Sequence, residues 1–225
     1  MIKTNLQNIH QKITMTALRC GRDPKEITLL AVSKKKTVRE IEQAVSVGQN
    51  FFAENYVQEG ISKIKLLSDV KLVWHFIGSL QSNKSRLVAK YFDWCHTVNS
   101  LHLAHRLNFQ RSGMPNPLNV LIQINISNEE QKSGILLKEL PNLAQAISVL
   151  PCLILRGIMA MPILHHSNER QLVAYHKMAE VFQQLKDTYP SVDTLSLGTS
   201  SDIDSAIIVG STMVRVGTAI FGTRG

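Results

Sequence analysis

The sequence predicts an α/β protein, a single-domain (β/α)8 TIM barrel with an extra helix at its N-terminus. Strand-like and helix-like segments alternate strictly along the chain, which indicates a parallel sheet. Eight such repeats fit within 225 residues, close to the usual length of one barrel. We therefore expect residues 1–225 to form one domain, with an open doubly wound sheet as the alternative.

Eight short segments have the apolar, partly β-branched composition that buried strands show. In chain order they are ITLLAVSK (27–34), NFFAE (50–54), KLVWHFIG (71–78), DWCHTV (93–98), LNVLIQINIS (118–127), LILRGIMA (153–160), DTLSLG (193–198) and TMVRVG (212–217). Active sites of such barrels lie where the strands end, so these ends give the candidate site residues.

Helix-like segments with apolar residues on one face lie between the strands. They cover 37–48, 55–67, 81–92, 100–113, 137–150, 168–189 and 201–210. The chain stops at Gly225, soon after the eighth strand. We expect the N-terminal helix, within residues 1–20, to cover the part of the barrel wall where an eighth helix would lie.

The composition is that of a soluble globular protein, with 44% hydrophobic and 19% charged residues. The N-terminus lacks the continuous apolar run of a secretory signal, which favours a cytoplasmic location. Three cysteines without close spacing argue against a disulfide framework or a cysteine-rich metal site. The net charge of +8 suits an anionic partner, but the basic residues are scattered. We expect no nucleic-acid or membrane partner, and a monomer.

Lys34 is the amine at the end of the first strand. With a period of two, Leu30, Val32 and Lys34 share one side of that strand, so Lys34 can point into the barrel mouth. Partial loss of hydration there favours the neutral, nucleophilic amine, which suits a Schiff base with an aldehyde or ketone. Lys35 and Lys36 are interpreted as loop charges, of which Lys36 could help to attract an anion.

A phosphate site is expected after strands seven and eight, where barrels commonly have one. SLGTSSD (196–202) supplies a glycine turn, hydroxyl groups and a helix start at Ser201 and Asp202. Gly217 and Thr218 supply a second glycine and a hydroxyl on the neighbouring strand. Together with Lys34 across the mouth, these turns indicate an aldehyde that carries a phosphate.

Arg215 lies one step deeper on the eighth strand than Gly217. Pyridoxal 5'-phosphate (PLP) enzymes tune the cofactor through an Asp or Arg partner at the pyridine nitrogen. An arginine in that position would disfavour protonation of the nitrogen and weaken the electron sink. The alternative for Arg215 is an ion pair with Glu or Asp.

Over nearly its whole length the chain resembles the pyridoxal phosphate homeostasis protein family. The matching segments, in the family's order, are LLAVSK, ENYVQEG, WHFIGSLQSNKSR, VLIQINIS, KSGI, RGIMAMP, DTLSLG and GSTMVRVGTAIFG. The resemblance implies a fold-type III barrel, akin to the PLP-binding domain of bacterial alanine racemase.

The resemblance also implies the site. PLP would form a Schiff base with Lys34, its phosphate would meet Thr199, Ser200, Gly217 and Thr218, its ring would lie near Arg215, and Asn55 would line the pocket. The implied function is vitamin B6 homeostasis: PLP is buffered or delivered, with PLP-dependent apo-enzymes as possible recipients, and amino-acid and keto-acid balance is affected, without established catalysis.

Several positions depart from the family's pattern. Thr199 stands where the family often has Met, Ala53 where it has Gly and Ser79 where it has Pro, and the acidic-aromatic tail is missing after Gly225. The rival functions are a small PLP-dependent racemase or decarboxylase of the alanine racemase fold, and a cofactor-free Schiff-base aldolase. His75 is interpreted as a core histidine, and Lys132 as a surface lysine rather than a second amine of the site.

Overall fold

The computed structural model describes residues 1–127, 133–161 and 168–222. Eight parallel strands pair in chain order and close into a barrel, as predicted. The strands are β1 (Thr28–Val32), β2 (Phe51–Glu54), β3 (Val73–Phe76), β4 (Trp94–Val98), β5 (Leu118–Ile124), β6 (Leu153–Ala160), β7 (Thr194–Ser196) and β8 (Met213–Val216). Closure comes from β1 and β8, which pair from Thr28 opposite Met213 to Ala31 opposite Val216.

Helices follow the strands and surround the barrel, in the positions that the periodicity predicts. They are α1 (Ile2–Arg19), α2 (Val38–Val45), α3 (Val57–Leu66), α4 (Ser85–Tyr91), α5 (Leu101–Arg111), α6 (Leu140–Ser148), α7 (Asn168–Thr188), α8 (Ile203–Ile208) and α9 (Thr218–Phe221). Three short 3-10 turns join them at Pro24–Glu26, Ser82–Lys84 and Leu137–Glu139. Within the described ranges, every helix is too short or too polar to span a lipid bilayer.

The N-terminal helix covers the wall beside the last strand, as expected. α9 is a single turn, and α1 packs against α9, α8 and α2. The inward face of α1 buries Leu6, Ile9 and Ile13, and Asn5 Nδ2 donates to the Ile220 carbonyl at 2.8 Å. Each buried aliphatic side chain contributes about 1.5 to 3 kcal/mol, against about 1 kcal/mol for a hydrogen bond. Apolar burial therefore holds α1 in place.

The core has two layers, which explains why the strands look almost continuously apolar. Leu29 and Ala31 belong to the large cluster between the sheet and the helices, whereas Leu30 and Val32 pack with Ala53 inside the barrel. The predicted alternation along β1 is thus confirmed for these side chains. Because Val32 faces the interior at the carboxyl end of β1, the segment that follows begins at the barrel mouth.

Candidate functional site

Lys34 lies in a turn at the mouth, two residues beyond the last residue of β1. It is partly buried, while its neighbour Lys35 is exposed. Lys35 has a φ of 60°, the left-handed conformation that non-glycine residues seldom adopt. The chain reverses sharply here because the strand must end at the mouth and turn outward toward α2. The turn therefore separates three consecutive lysines into three different environments.

Lys36 takes a structural position that the sequence did not suggest. Its Nζ donates to the Phe221 carbonyl at 3.1 Å and lies 3.5 Å from Glu40 Oε1. Phe221 ends the α9 turn, so Lys36 ties the segment after β1 to the segment after β8. The interpretation of Lys36 as plain loop charge is therefore incomplete, because its ammonium group joins two parts of the mouth.

A buried polar cluster lies directly behind the Lys34 turn, between the barrel and α3. Ser33 Oγ donates to Glu54 Oε1 at 2.6 Å, and Lys63 Nζ donates to the same oxygen at 2.7 Å. Lys63 also donates to the Ser33 carbonyl and to Glu59 Oε1, each at 2.7 Å. Burial raises the pKa of Glu54, although Lys63 and Ser33 pull it downward. We call Ser33, Glu54, Glu59 and Lys63 the Lys63 cluster.

Sequence reasoning missed this cluster. The only local signal is the four-residue spacing of Glu59 and Lys63, which is typical of a helical ion pair at the surface. The contact with Ser33 spans 30 residues of chain and depends on how α3 packs against the barrel. No pattern along the sequence reports that distance.

Asn55 follows β2 at the same end of the barrel, and its side-chain Oδ1 is buried without a hydrogen-bond partner among the described residues. Its carbonyl lies so close to Gly78 that a Cβ there would be 1.9 Å from the oxygen. Gly78 is therefore required for β3 to approach β2 at the mouth. An adjoining cavity of about 320 Å³ is lined by Asn55, Tyr56 and Lys84, among others. Asn55 thus lies beside a cavity at the ends of β2 and β3, and its role in lining a PLP pocket stays a prediction.

The turn after β7 is organised by Asp202. Its Oδ1 accepts hydrogen bonds from Thr199 N at 2.6 Å and from Thr199 Oγ1 at 2.9 Å. Its Oδ2 accepts from Tyr175 of α7 at 2.6 Å. The helix was predicted to start at Ser201 and Asp202. In the structure α8 begins at Ile203, and Asp202 is its N-cap. Both polar donors of Thr199 are thus directed at Asp202, which the sequence analysis did not foresee.

The turns after β7 and β8 meet, as the sequence analysis expected of a joint phosphate site. Ser200 Oγ accepts a hydrogen bond from Ala219 N at 3.4 Å. Gly217 precedes α9 and packs against β1: a Cβ on Gly217 would lie 3.2 Å from the Val32 carbonyl oxygen. Since the Ala219 amide is used in this way and the last two amides of α9 donate to the Gly217 carbonyl, the Thr218 amide is the one of α9 left for a ligand. Ser200, Gly217 and Thr218 therefore lie together on the rim next to the end of β1.

Arg215 lies below this rim, buried in the barrel with 3% of its surface exposed. Its Nη1 donates to the Ser196 carbonyl at 2.8 Å and to Ser196 Oγ at 2.6 Å, and its Nη2 donates to the Ala160 carbonyl at 2.8 Å. Desolvation lowers the pKa of Arg215 to about 10, against the raising effect of Tyr175 and Asp202. At neutral pH it is a buried cation held by carbonyl dipoles.

The alternative role for Arg215, an ion pair, is not what the structure shows. Within residues 1–127, 133–161 and 168–222, no carboxylate forms a salt bridge with it. Three strands, β6, β7 and β8, fix the guanidinium instead. Its positive charge is therefore directed into the upper barrel.

His75 forms a histidine pair inside the barrel, as the core interpretation suggested. His75 Nδ1 and His96 Nε2 are 2.8 Å apart, and both residues are fully buried. Burial lowers the pKa of His75 to about 3, and burial together with the charge of Arg215 lowers that of His96. Both rings are neutral at neutral pH. Lys132, the other amine that the sequence analysis weighed, lies outside the described residues.

Comparison with known proteins identifies relatives over the full length. The sequence model described as alanine racemase, N-terminal domain, matches residues 4–225. A protein of Escherichia coli K12 named pyridoxal phosphate homeostasis protein is 56% identical, over 99% of this chain and 97% of the relative. A protein of Vibrio alginolyticus with the same name is 49% identical to this chain, again over 99% of this chain and 97% of the relative.

Solved structures agree with this grouping. PipY of Synechococcus elongatus, solved with PLP bound, superposes with a TM-score of 0.81 at 32% identity, over 99% of this chain and 100% of PipY. An alanine racemase of Clostridium difficile 630 superposes with a TM-score of 0.72 at 16% identity, over 99% of this chain and 56% of the racemase, which shows a shared fold. By its sequence and its barrel, this chain belongs to the pyridoxal phosphate homeostasis protein family, within the larger family of the alanine racemase N-terminal domain.

Proposed function

We propose that this chain binds PLP through a Schiff base on Lys34 and serves intracellular PLP homeostasis. The main support is one juxtaposition at the barrel mouth. The Lys34 turn continues directly from Val32, and Val32 is in contact distance of Gly217, which opens the joined turns after β7 and β8. The turn that carries the Lys34 amine and the turn that carries the Thr218 amide thus share one rim, above a buried arginine.

The residues present fit PLP. Gly217 has no side chain where a Cβ would press on Val32, so the turn after β8 can lie close against the end of β1. The Ser200 hydroxyl and the Thr218 amide are suitable phosphate donors, because an N–H group at a helix start favours anions. Thr199 shapes the same turn through Asp202. Asn55, with an unpartnered buried Oδ1, would line the other side of the pocket.

Arg215 would meet the pyridine ring from below. When bound, PLP supplies an aldehyde that condenses with primary amines and a ring that withdraws electrons. A guanidinium that stays protonated disfavours a proton on the pyridine nitrogen and so weakens that withdrawal. This arrangement suits holding the cofactor more than carbanion chemistry.

A homeostatic rather than catalytic role is supported by the relatives. The proteins that share 49% to 56% identity carry the homeostasis name, whereas the racemase at 16% identity shares the fold alone. We propose that residues 1–225 act as one PLP-binding domain, monomeric and cytoplasmic, which hands PLP to apo-enzymes and so affects amino-acid and keto-acid balance.

Borohydride mapping tests the site. Purified protein mixed with PLP is reduced with borohydride, digested and analysed by mass spectrometry. We expect one pyridoxyl group per chain, on the peptide that contains Lys34, and a loss of label to background in Lys34→Ala. Lys35→Ala is the matched control, since Lys35 is the exposed neighbour on the same turn, and it should label fully. Label on another lysine in the unmutated protein would refute the assignment.

The racemase alternative has a separate test. Amino acids deuterated at the α-carbon are incubated with the PLP-loaded protein, and loss of deuterium is followed by mass spectrometry. We expect less than one exchange per chain over hours. Robust multiple turnovers would replace the homeostatic proposal with a catalytic one.

A further inference from the structure

We propose that Lys63, on α3, is the positioning residue that sets the geometry of Lys34. The inference rests on the proposed Schiff base at Lys34 and concerns how the protein presents that amine. Lys63 does not touch the barrel interior; it acts from behind, through the backbone on both sides of Lys34. Neither the resemblance nor the strand-end pattern points to it.

The backbone that flanks Lys34 is anchored on both sides by groups that converge on Lys63. On one side, the Ser33 carbonyl accepts from Lys63 Nζ at 2.7 Å. On the other side, Lys35 N donates to Glu59 Oε1 at 2.5 Å, and Glu59 Oε1 accepts from Lys63 at 2.7 Å. The ammonium group of Lys63 therefore holds the peptide unit before Lys34 directly and the peptide unit after it through Glu59.

The same ammonium group also controls the side chain of Ser33. Ser33 Oγ donates to Glu54 Oε1, the oxygen that Lys63 binds at 2.7 Å. Lys63 thus uses its three donors on the Ser33 carbonyl, Glu54 and Glu59, which is all that an ammonium group has. Moving this one atom therefore changes three anchors at once, whereas the turn's own backbone bond, from Lys36 N to the Ser33 carbonyl at 3.0 Å, does not involve it.

Stability alone does not account for the Lys63 cluster. Glu54 has no exposed surface and Lys63 has 5% exposed, so both charges have lost nearly all their hydration. An apolar set of the same shape is often as stable as a buried ion pair, whereas fixed geometry is something that only the polar set supplies. The cluster lies directly behind the residue whose placement the proposed function needs.

The turn itself requires such an anchor. Lys35 adopts the left-handed conformation at φ 60°, which costs free energy for a residue with a Cβ and persists only where its surroundings hold it. The bond from Lys35 N to Glu59 helps to hold it, beside the 3.0 Å backbone bond that closes the turn. Without Lys63, Glu59 loses its partner and the turn can relax to an ordinary conformation, which redirects the Cα–Cβ bond of Lys34.

The consequence for chemistry is one of alignment. In Schiff-base formation the neutral amine nitrogen of Lys34 bonds to an aldehyde carbon, and the aldehyde oxygen leaves as water, which accounts for the two protons that the nitrogen gives up in all. Misplacement of a reacting group by about 1 Å can slow such a step a hundredfold. Lys63 is therefore expected to affect how fast and how tightly PLP is held, with no contact to PLP.

The experiment uses the full chain with PLP and three variants. Lys63→Met leaves Glu54 as an uncompensated buried charge and is expected to fold poorly. The charge-neutral double variant K63M/E54Q removes that penalty while the Ser33 carbonyl still lacks its donor. E59A removes the Lys35 anchor and one of the three acceptors of Lys63, at a partly exposed carboxylate. K177M is the control, since Lys177 forms an exposed ion pair with Glu180 on α7.

The readouts are the rate of borohydride-trappable adduct formation, the dissociation constant of PLP, and the pH titration of the bound cofactor's visible absorbance, with thermal unfolding beside them. For K63M/E54Q we expect an unfolding midpoint near that of the unmutated protein, with adduct formation slowed and PLP binding weakened about tenfold. For E59A we expect about threefold in the same direction, and for K177M no change.

The outcomes separate two failures. If the unmutated protein forms no adduct on Lys34, the proposed function fails and the role of Lys63 falls with it. If the unmutated protein does form the adduct, but E59A and a folded K63M/E54Q match its rate, affinity and absorbance titration, the positioning role is overturned. If only the unfolding midpoint changes in either variant, the cluster is structural, and the inference is likewise wrong.

Discussion

Each end of the barrel carries a buried arginine, and the two arginines bind carbonyl groups of different kinds of segment. At the carboxyl end, Arg215 is held by strand carbonyls, and its charge has no carboxylate partner among the described residues. At the amino end, Arg111 closes the chain on itself: it donates to the carbonyls of Ala89, Phe92 and Asn116 at 2.6 to 2.9 Å. Both arginines are thus held by carbonyl groups, Arg215 by those of strands below the mouth and Arg111 by those of a helix and loops at the base.

The two ends also contain different polar contacts, some of which lower the stability of the fold and some of which raise it. At the mouth, Asn55 Oδ1 and Glu54 Oε2 are buried without partners in the described part of the chain, and each such atom costs free energy. At the base, Asp93 accepts from the Trp74 amide at 2.8 Å, and Arg156 pairs with Asp193 and lies over the ring of Trp94. Variants at the base should therefore affect folding, and variants at the mouth should affect binding.

The histidine pair between the two ends gives the largest expected effect. The pKa of His75 in the folded protein is about 3, below its ordinary value of 6.5, so the unfolded chain binds more protons as the pH falls. The stability that the neutral histidine pair contributes is fully present above about pH 6.5 and is lost as the pH falls toward 3. The free energy of unfolding, measured with urea, should be about 4 kcal/mol lower at pH 5 than at pH 7.5. The loss begins near pH 6.5 and amounts to about 1.4 kcal/mol per pH unit for each of the two histidines.

H75L/H96L provides the check on that slope, because it removes both rings and leaves neither unpaired. The double variant should lose most of the pH dependence, and H102Q, at an exposed histidine on α5, should keep it. An unchanged slope in H75L/H96L would show that other groups control acid stability.

R111M tests the base of the barrel. Loss of the guanidinium leaves three carbonyls without their donor, and the two bonds that are buried, to Ala89 and Phe92, contribute about 1.5 kcal/mol each at the lower end of the range for charged donors. We expect the free energy of unfolding to fall by about 3 kcal/mol, as measured by urea titration. PLP affinity of the folded fraction should stay within about twofold, since Arg111 lies far from the mouth; a large loss of affinity would erase the contrast between the two ends.

G217A tests the mouth. A methyl group would press on the Val32 carbonyl at 3.2 Å and shift the rim by a few tenths of an ångström. We expect PLP binding, followed by absorbance, to weaken about tenfold, equivalent to about 1.4 kcal/mol. The free energy of unfolding should change by less than about 1 kcal/mol, because φ is −117° and an alanine adopts that angle without strain. An equal effect on folding and binding would argue against a rim built for a ligand.

R156A should have the smallest effect. The ion pair with Asp193 is largely exposed, with 27% and 51% of the two side chains accessible, so solvent screens it. We expect a destabilisation below about 1 kcal/mol by thermal unfolding and unchanged PLP affinity. A loss above about 2 kcal/mol would show that the contact with Trp94 matters more than the exposed charge pair.

Much of the fold was predictable because it depends on local periodicity. The segment 153–160 was predicted as a strand and is β6 (Leu153–Ala160), and the amphipathic stretch 168–189 is α7 (Asn168–Thr188). Pro141 lies in the first turn of α6, where its missing amide costs nothing. The inward direction of Leu30 and Val32 followed from the two-residue period of a strand.

The candidate site was predictable only to the level of which residues stand at strand ends. That Ser200 and the α9 turn share a rim follows from the pairing of β7 with β8. That Thr199 directs its donors to Asp202, and that Lys36 binds the Phe221 carbonyl, depends on side-chain directions in turns, for which the sequence has no period.

Three features were determined by the sequence alone, since steric periodicity is local: the alternation of strands and helices, the place of Lys34 close to the carboxyl end of β1, and the inward facing of Leu30 and Val32. The tertiary structure decided the rest: a buried ammonium group on α3 reaches the Ser33 carbonyl 30 residues away, and Arg215 meets carbonyls rather than a carboxylate. Both contacts depend on packing distances between distant segments, because a buried charged group is paired with whichever polar group the fold places beside it.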